Sequence, residues 1–214
     1  MTSWLKPAFL SHEQALTALR RDGHACMSAT EWMAAWDVDE ESLGLLAESW
    51  NRLPPDAYLK DGGRYRRRRH QCVLSDGQPG SSVQAVPRRA HWQPVDYNAL
   101  HGGIERWFEP VETSVCATVA WQRLITGLAG CATVLRGPPA GGCWAVEVHQ
   151  FRIDTTDGIG RPTPEGAHRD GVDLVAVLLV ARAGVKGGET RVFDAAGPLG
   201  RRFTLSEPWT LLLL

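Results

Sequence analysis

A mainly β fold carried on an N-terminal layer of helices is what this chain predicts, and two observations predict it. Beyond Gly142, the runs Trp144 to Ile153, Val172 to Arg182, Thr190 to Phe193 and Trp209 to Leu214 are short, β-rich and separated by Gly, Pro and Asp turns. Over residues 1–52, Ser11 with Gln14 and Ser28 with Glu31 have the spacing by which a helix start satisfies its own free amides. The C-terminal half therefore reads as a β-barrel or sandwich, and the N-terminal fifty residues as its helical support.

Taken in order, two short helices follow Ser11 and Ser28. A third follows Asp39, where Leu43, Leu46, Ala47 and Trp50 recur at i, i+3, i+4 and i+7 and form one apolar stripe. From Leu53 to about Glu112, residues such as Pro54, Pro55, Pro79, Gly80, Pro87 and Pro94 break any long periodic element, so short strands and loops are expected. A supporting helix is predicted over about 115–128 from Ala117, Ala120, Trp121, Leu124 and Leu128, with Gly130 as its stop. A single domain over 1–214 is expected, with the β core occupying about 60–214.

With 43% hydrophobic and 22% charged residues, the 214-residue chain has the composition of a globular protein. A formal net charge of −1 supplies no long-range field toward nucleic acid or an anionic bilayer, so nucleic acid is not an expected partner. No apolar stretch is long enough to span a bilayer, and residues 1–11 lack a signal core, so a cytoplasmic location is expected. Five cysteines, widely spaced and without a C-x-x-C pair, suggest neither a disulfide framework nor a zinc ribbon.

The sharpest chemical feature is Pro164-Glu165-Gly166-Ala167-His168-Arg169-Asp170-Gly171, lying between two predicted strands. On a strand or its exit, residues i and i+2 point to one side, so His168 and Asp170 can present an imidazole nitrogen and a carboxylate oxygen to one metal ion. Those are two of the three ligands of the 2-His-1-carboxylate triad that leaves positions open on non-haem Fe(II). A lone H-x-D tripeptide is a weak motif, equally at home in a surface turn.

The surroundings are more specific. From Glu147 to Phe193 the chain carries an H-Q-x-R-I strand, the P-E-G-x-H-x-D-G turn, an apolar strand ending in Arg182 and a Gly187-Gly188-Glu189 turn. In that order these segments resemble the Fe(II)/2-oxoglutarate-dependent dioxygenase family that includes bacterial hydroxylases of free L-isoleucine and related amino acids. Residues 93–109 and 64–69 resemble further family segments, so the likeness reaches over roughly two thirds of the chain.

The resemblance implies a double-stranded β-helix, a cupin-like jelly roll with the metal at its mouth. It implies Fe(II) and 2-oxoglutarate as cofactor and co-substrate, and O2 as the second substrate. It also implies hydroxylation of a small molecule, a free amino acid, with succinate and CO2 as co-products. His168 and Asp170 are the implied metal ligands. The family's second metal histidine lies downstream of the first, but no histidine follows His168. That ligand and the main arginine for 2-oxoglutarate are expected beyond Leu214, which leaves the C-terminal part of the barrel outside this sequence.

Arg152 and Arg182 sit on predicted core strands, where a guanidinium needs a counter-charge. The carboxylates of 2-oxoglutarate or of an amino acid would serve, and so would ion pairs with Glu147, Glu165, Asp173 or Glu189. In the basic run 64–69, one strand face would aim Arg66 and Arg68 at a substrate carboxylate, and Glu165 is a further substrate candidate. A solvated edge or a phosphate-binding stripe are the alternatives. His149 could stand in for the missing metal histidine only by changing the family's geometry, and is expected instead to be a packed strand residue or to line the pocket. Asn98, Gly102, Gly103 and Arg106 are expected in a loop near the site, with Trp107 and Trp144 at its border. Two rival functions remain, a catalytically inactive metabolite-binding relative and a protein acting on nucleic acid.

Overall fold

Ser11 opens the first helix as its spacing with Gln14 predicts: its hydroxyl accepts from Gln14 N–H, and the Gln14 side chain accepts from Ser11 N–H at 3.1 Å. This reciprocal cap starts α1 (His12–Asp22), and Gly23 at φ 73° ends it in the left-handed region that only glycine enters without cost. The computed structural model describes residues 6–59, 64–96, 102–156, 158–160, 166, 168–194, 197 and 199–214. Their contacts fall into two compact units, Met1–Asp37 with Val134–Gly137 and Val172–Leu214, and Val38–Thr133 with Pro138–Gly171.

In the first unit, α1 leads through β1 (Ala25–Met27) to α2 (Ala29–Trp36), whose N-cap Ser28 accepts from Glu31 N–H. The sheet here has the order β1-β8-β5, with β8 (Thr210–Leu213) antiparallel to both β1 and β5 (Ala176–Leu179). The C-terminal run of leucines is therefore a central strand with neighbours on both edges, which accounts for Leu211, Leu212 and Leu213 being at most 1% exposed. Cys26, Phe203, Leu205 and Leu212 form one buried cluster. The Trp32 indole, fully buried, donates to the Trp209 carbonyl at 2.8 Å. A two-stranded ribbon of β6 (Thr190–Phe193) and β7 (Gly200–Phe203) completes the unit's strands.

In the second unit, Asp39 caps α3 (Glu40–Glu48), which runs into a 3-10 turn at Ser49–Arg52. The sheet has the order β3-β2-β4, in which β2 (Arg66–Ser75) pairs along its whole length with β4 (Trp144–Ile153), while β3 (Gln84–Ala85) lies at the edge. The ten-residue β2 is longer than the irregular composition of 53–112 suggests. Between β3 and β4 come α4 (Thr113–Cys116) and α5 (Val119–Arg136).

The supporting helix runs eight residues past its expected end, because Gly130 does not stop it. A Cβ on Gly77 (φ 74°) would meet the α5 backbone at Ala129 and Gly130, 2.8 Å away, so the turn after β2 lies directly on the helix there. Gly130 thus belongs to a close backbone approach rather than to a helix end. Leu43, Leu46, Leu53, Phe108, Val115, Trp121 and Ile125 are among the buried apolar residues of this unit.

All the strand ladders are antiparallel, and the fold is mainly β with N-terminal helices, as expected from the sequence. No helix among the described residues is long and apolar enough to cross a membrane.

Candidate active site

The polar face of the β2–β4 ladder is the source of the site. Strand alternation makes Arg66, Arg68, His70 and Cys72 one side of β2, and the register sets Phe151, His149 and Glu147 opposite the last three. Such a face can be buried only if each polar group finds a partner. Arg66 does so in an ion pair with Asp56, Nε to Oδ2 at 2.7 Å, with both side chains buried. Arg68, 3% exposed, donates from Nη2 to His149 Nδ1 at 2.8 Å, and its guanidinium carbon lies 4.0 Å from the Phe108 ring centroid and 4.6 Å from that of Phe151. Burial draws the Arg68 pKa down to about 9.

Three imidazoles gather around one carboxylate. Glu147 accepts from His91 Nδ1 at 3.2 Å, with His70 Nε2 at 3.6 Å and His149 Nε2 at 3.9 Å from its oxygens. The His70 and His149 rings stack with centroids 4.8 Å apart. Burial depresses His149, reinforced by the positive charge of Arg68, and depresses His91 against the opposing hydrogen bond to Glu147. Burial would by itself raise the Glu147 carboxyl, but N–H donation from His70 and His91 outweighs it and holds Glu147 below the usual carboxylate range.

The donor atoms of His70, His91, Glu147 and His149 lie within 4.8 Å of one another, close enough to hold a metal ion. Arg68 opposes that use of His149. A guanidinium only donates, so His149 Nδ1 must carry the lone pair and Nε2 the hydrogen on the Glu147 side. Beside Glu147 and Cys72 opens a cavity of about 350 Å3, walled by Leu74, Val86, Pro87 and Arg89.

In the H-x-D turn the His168 and Asp170 side chains lie near one another. His168 Nδ1 lies 3.0 Å from the Gly166 carbonyl, so Nδ1–H donates and the Nε2 lone pair is left free. His168 Nε2 is 3.8 Å from Asp170 Oδ1. Adjacent octahedral donors each about 2.1 Å from one ion lie about 3.0 Å apart, so the pair would have to close from its 3.8 Å separation to take two neighbouring positions on a metal. Among the described residues, no third His, Cys, Asp or Glu closes on this pair. Gln93 Nε2 donates to Asp170 Oδ1 at 3.3 Å, and Arg106 Nη2 donates to Gln93 Oε1 at 2.9 Å. The segment 91–93 thus touches Glu147 through His91 and Asp170 through Gln93, joining the two clusters into one polar constellation.

Other residues marked by the sequence fall differently. Arg152 is exposed, and alternation puts it on the face of β4 opposite Glu147, His149 and Phe151. Arg182 Nη2 donates to the Val185 and Gly187 carbonyls of its own loop. Among the described residues, neither forms the suggested ion pairs: Asp173 pairs with Arg136 and Glu189 with Arg191. Glu165 and Asn98 lie outside the described residues. Trp107 is exposed, and the Trp144 indole donates to Thr133 Oγ1.

The basic run is not a solvated phosphate stripe, since Arg66 and Arg68 are buried and Arg69 donates to the Pro110 carbonyl and Glu112. His70 and His91 carried no sequence signal, and Glu147 was marked only as an ion-pair partner. The alternation of basic residues into His70 and Cys72 was the one available clue to a polar inward face.

The comparisons with known proteins supply the family. The family model for 2OG-Fe dioxygenase matches residues 47–214. The crystal structure of a bsmA homologue from Methylobium petroleophilum PM1, at 1.91 Å resolution, is 48% identical with a TM-score of 0.90, over 100% of this chain and 84% of that one. IDO from Bacillus thuringiensis is 16% identical with a TM-score of 0.72, over 99% of this chain and 86% of that one. The Fe(II)/α-ketoglutarate-dependent dioxygenase TqaL is 17% identical with a TM-score of 0.62, over 94% of this chain and 74% of that one. No curated protein matches the chain.

The chain belongs to the 2OG-Fe dioxygenase family and has the cupin-like jelly-roll fold of such enzymes. It is a 2-oxoglutarate-dependent dioxygenase that uses Fe(II), 2-oxoglutarate and O2 on a small-molecule substrate.

Proposed function

We propose that this dioxygenase hydroxylates a free amino acid, with His168 and Asp170 supplying two of the iron ligands. The observation that carries the assignment is the His168–Asp170 pair, with donor atoms 3.8 Å apart and the His168 Nδ1–H tied to the Gly166 carbonyl. Bound iron with 2-oxoglutarate supplies the oxidising power for attack on an unactivated C–H bond.

The chain's own residues have the remaining tasks. The Gly166 carbonyl accepts from His168 Nδ1–H, which leaves Nε2 as the nitrogen for iron. Gln93, held by Arg106, orients Asp170 by donating to Oδ1, the oxygen 3.8 Å from His168 Nε2, and leaves Oδ2 as the oxygen for iron. The cavity of about 350 Å3 beside Glu147 has the volume of a small-molecule site. The resemblance to amino-acid hydroxylases in the H-Q-x-R-I and P-E-G-x-H-x-D-G segments supports the substrate class.

The test is an anaerobic Fe(II) titration of wild type and Asp170→Ala, with and without 2-oxoglutarate, followed by succinate release with a panel of free amino acids. Metal affinity lost in Asp170→Ala, together with amino-acid-dependent succinate, is the expected result. Unchanged metal affinity in the variant would move the iron elsewhere, and succinate release indifferent to every amino acid would remove the substrate class.

A further inference from the structure

Resting on the reading of this site as a dioxygenase pocket, we propose that Arg68 is its carboxylate anchor, the residue that selects ligands by their acid group. Three observations carry this.

First, Arg68 is a buried cation that forms no ion pair among the described residues, although Asp56 and Glu147 act on it from a distance. Among the described residues no carboxylate pairs with it, and its Nε is buried with no hydrogen-bond partner. The nearest acids are already committed. Asp56 holds Arg66 at 2.7 Å, and Glu147 accepts from His91. A desolvated guanidinium is costly unless a negative group offsets it, and a fold that keeps one open has left a position for a ligand's charge.

Second, the guanidinium is held for recognition. Phe108 and Phe151 cover it at 4.0 and 4.6 Å, and Nη2 is fixed on His149 Nδ1. The plane of the fork is therefore set before a ligand arrives, which lowers the ordering cost of a paired hydrogen bond to a carboxylate. Third, Arg68 shares the face of Glu147 and His149, and that face reaches Asp170 through the segment 91–93. Arg152 is turned to the other face of β4, and Arg182 is engaged by its own loop, so neither takes this part.

Two ligands of the reaction carry the required group, the amino acid and 2-oxoglutarate. The test separates them on Fe(II)-loaded protein without oxygen, by calorimetric titration with 2-oxoglutarate and with the twenty free L-amino acids beside their carboxamides. Wild type should prefer an acid over its amide. In Arg68→Gln the affinity for that acid should fall at least about ten-fold and the preference disappear, Arg68→Lys should restore part of both, and Fe(II) affinity should not move. If the loss falls on the amino acid, Arg68 holds the substrate; if on 2-oxoglutarate, the co-substrate. Either result supports a carboxylate anchor.

Unchanged affinity of Arg68→Gln for both 2-oxoglutarate and the amino acid overturns it. A second readout guards against a merely structural role: ligand-free Arg68→Met should melt no lower than wild type, because an uncompensated charge has been removed. A lower melting temperature with intact carboxylate binding would make Arg68 a packing cation and sink the proposal. Failure of the iron assignment would show separately, as a missing Fe(II) response beside an intact acid preference.

Discussion

Two arginines two positions apart on one strand face show how far single residues diverge here. Arg66 has its carboxylate, and Asp56→Ala should cost on the order of 3–5 kcal/mol in urea denaturation, because it strands a buried cation. The imidazoles set the acid limit of the fold. His91 and His149 are depressed in the folded state, so below a pH of about 6.5 the unfolded chain takes up protons that the native one does not. Stability is then lost with falling pH, at up to about 1.4 kcal/mol per pH unit for each group. Glu147 is depressed as well, and its contribution is lost below the ordinary carboxylate pKa of about 4.3. Denaturation between pH 7 and 5 should show this slope, flattened in His149→Gln. None of it was legible in the sequence, which names a histidine but not the arginine that aims a hydrogen at one of its nitrogens.

At the scale of elements, the positions that matter are those where a backbone comes close or a strand is covered on both edges. Leu212 sits in the central strand β8 and is 1% exposed, so Leu212→Ala should lose about 2–5 kcal/mol by chemical denaturation. Gly77→Ala demands both a left-handed backbone and a Cβ placed against α5. It should destabilise by about 1–3 kcal/mol, seen as a lower melting temperature.

The helices were legible because their caps are local: Ser11, Ser28 and Asp39 each bind an amide three residues on. The C-terminal strands were legible as apolar runs. Strands β1 and β7 were not, since three or four residues carry no period of their own and exist only through pairing with β8 and β6. The full length of α5 was missed because Gly130 reads locally as a stop and is needed instead for the approach of Gly77.

For the whole molecule, a net charge of −1 and the burial of Arg66 and Arg68 out of the basic run weaken any footprint for nucleic acid. Duplex DNA should therefore show no salt-dependent binding in a titration from 50 to 200 mM salt, roughly the range over which phosphate contacts are lost. A steep salt slope would revive that rival function.

By itself the sequence determined the mainly β class with its helical layer, the family and its cofactors, and the His168–Asp170 spacing, since caps, apolar runs and an i, i+2 motif are all short-range. The tertiary structure alone decided that His70, His91, Glu147 and His149 meet, and that Arg68 rather than Arg152 lies on their face. Register between β2 and β4 fixes which side chains share a surface. A one-residue slip would turn every one of them to the other side.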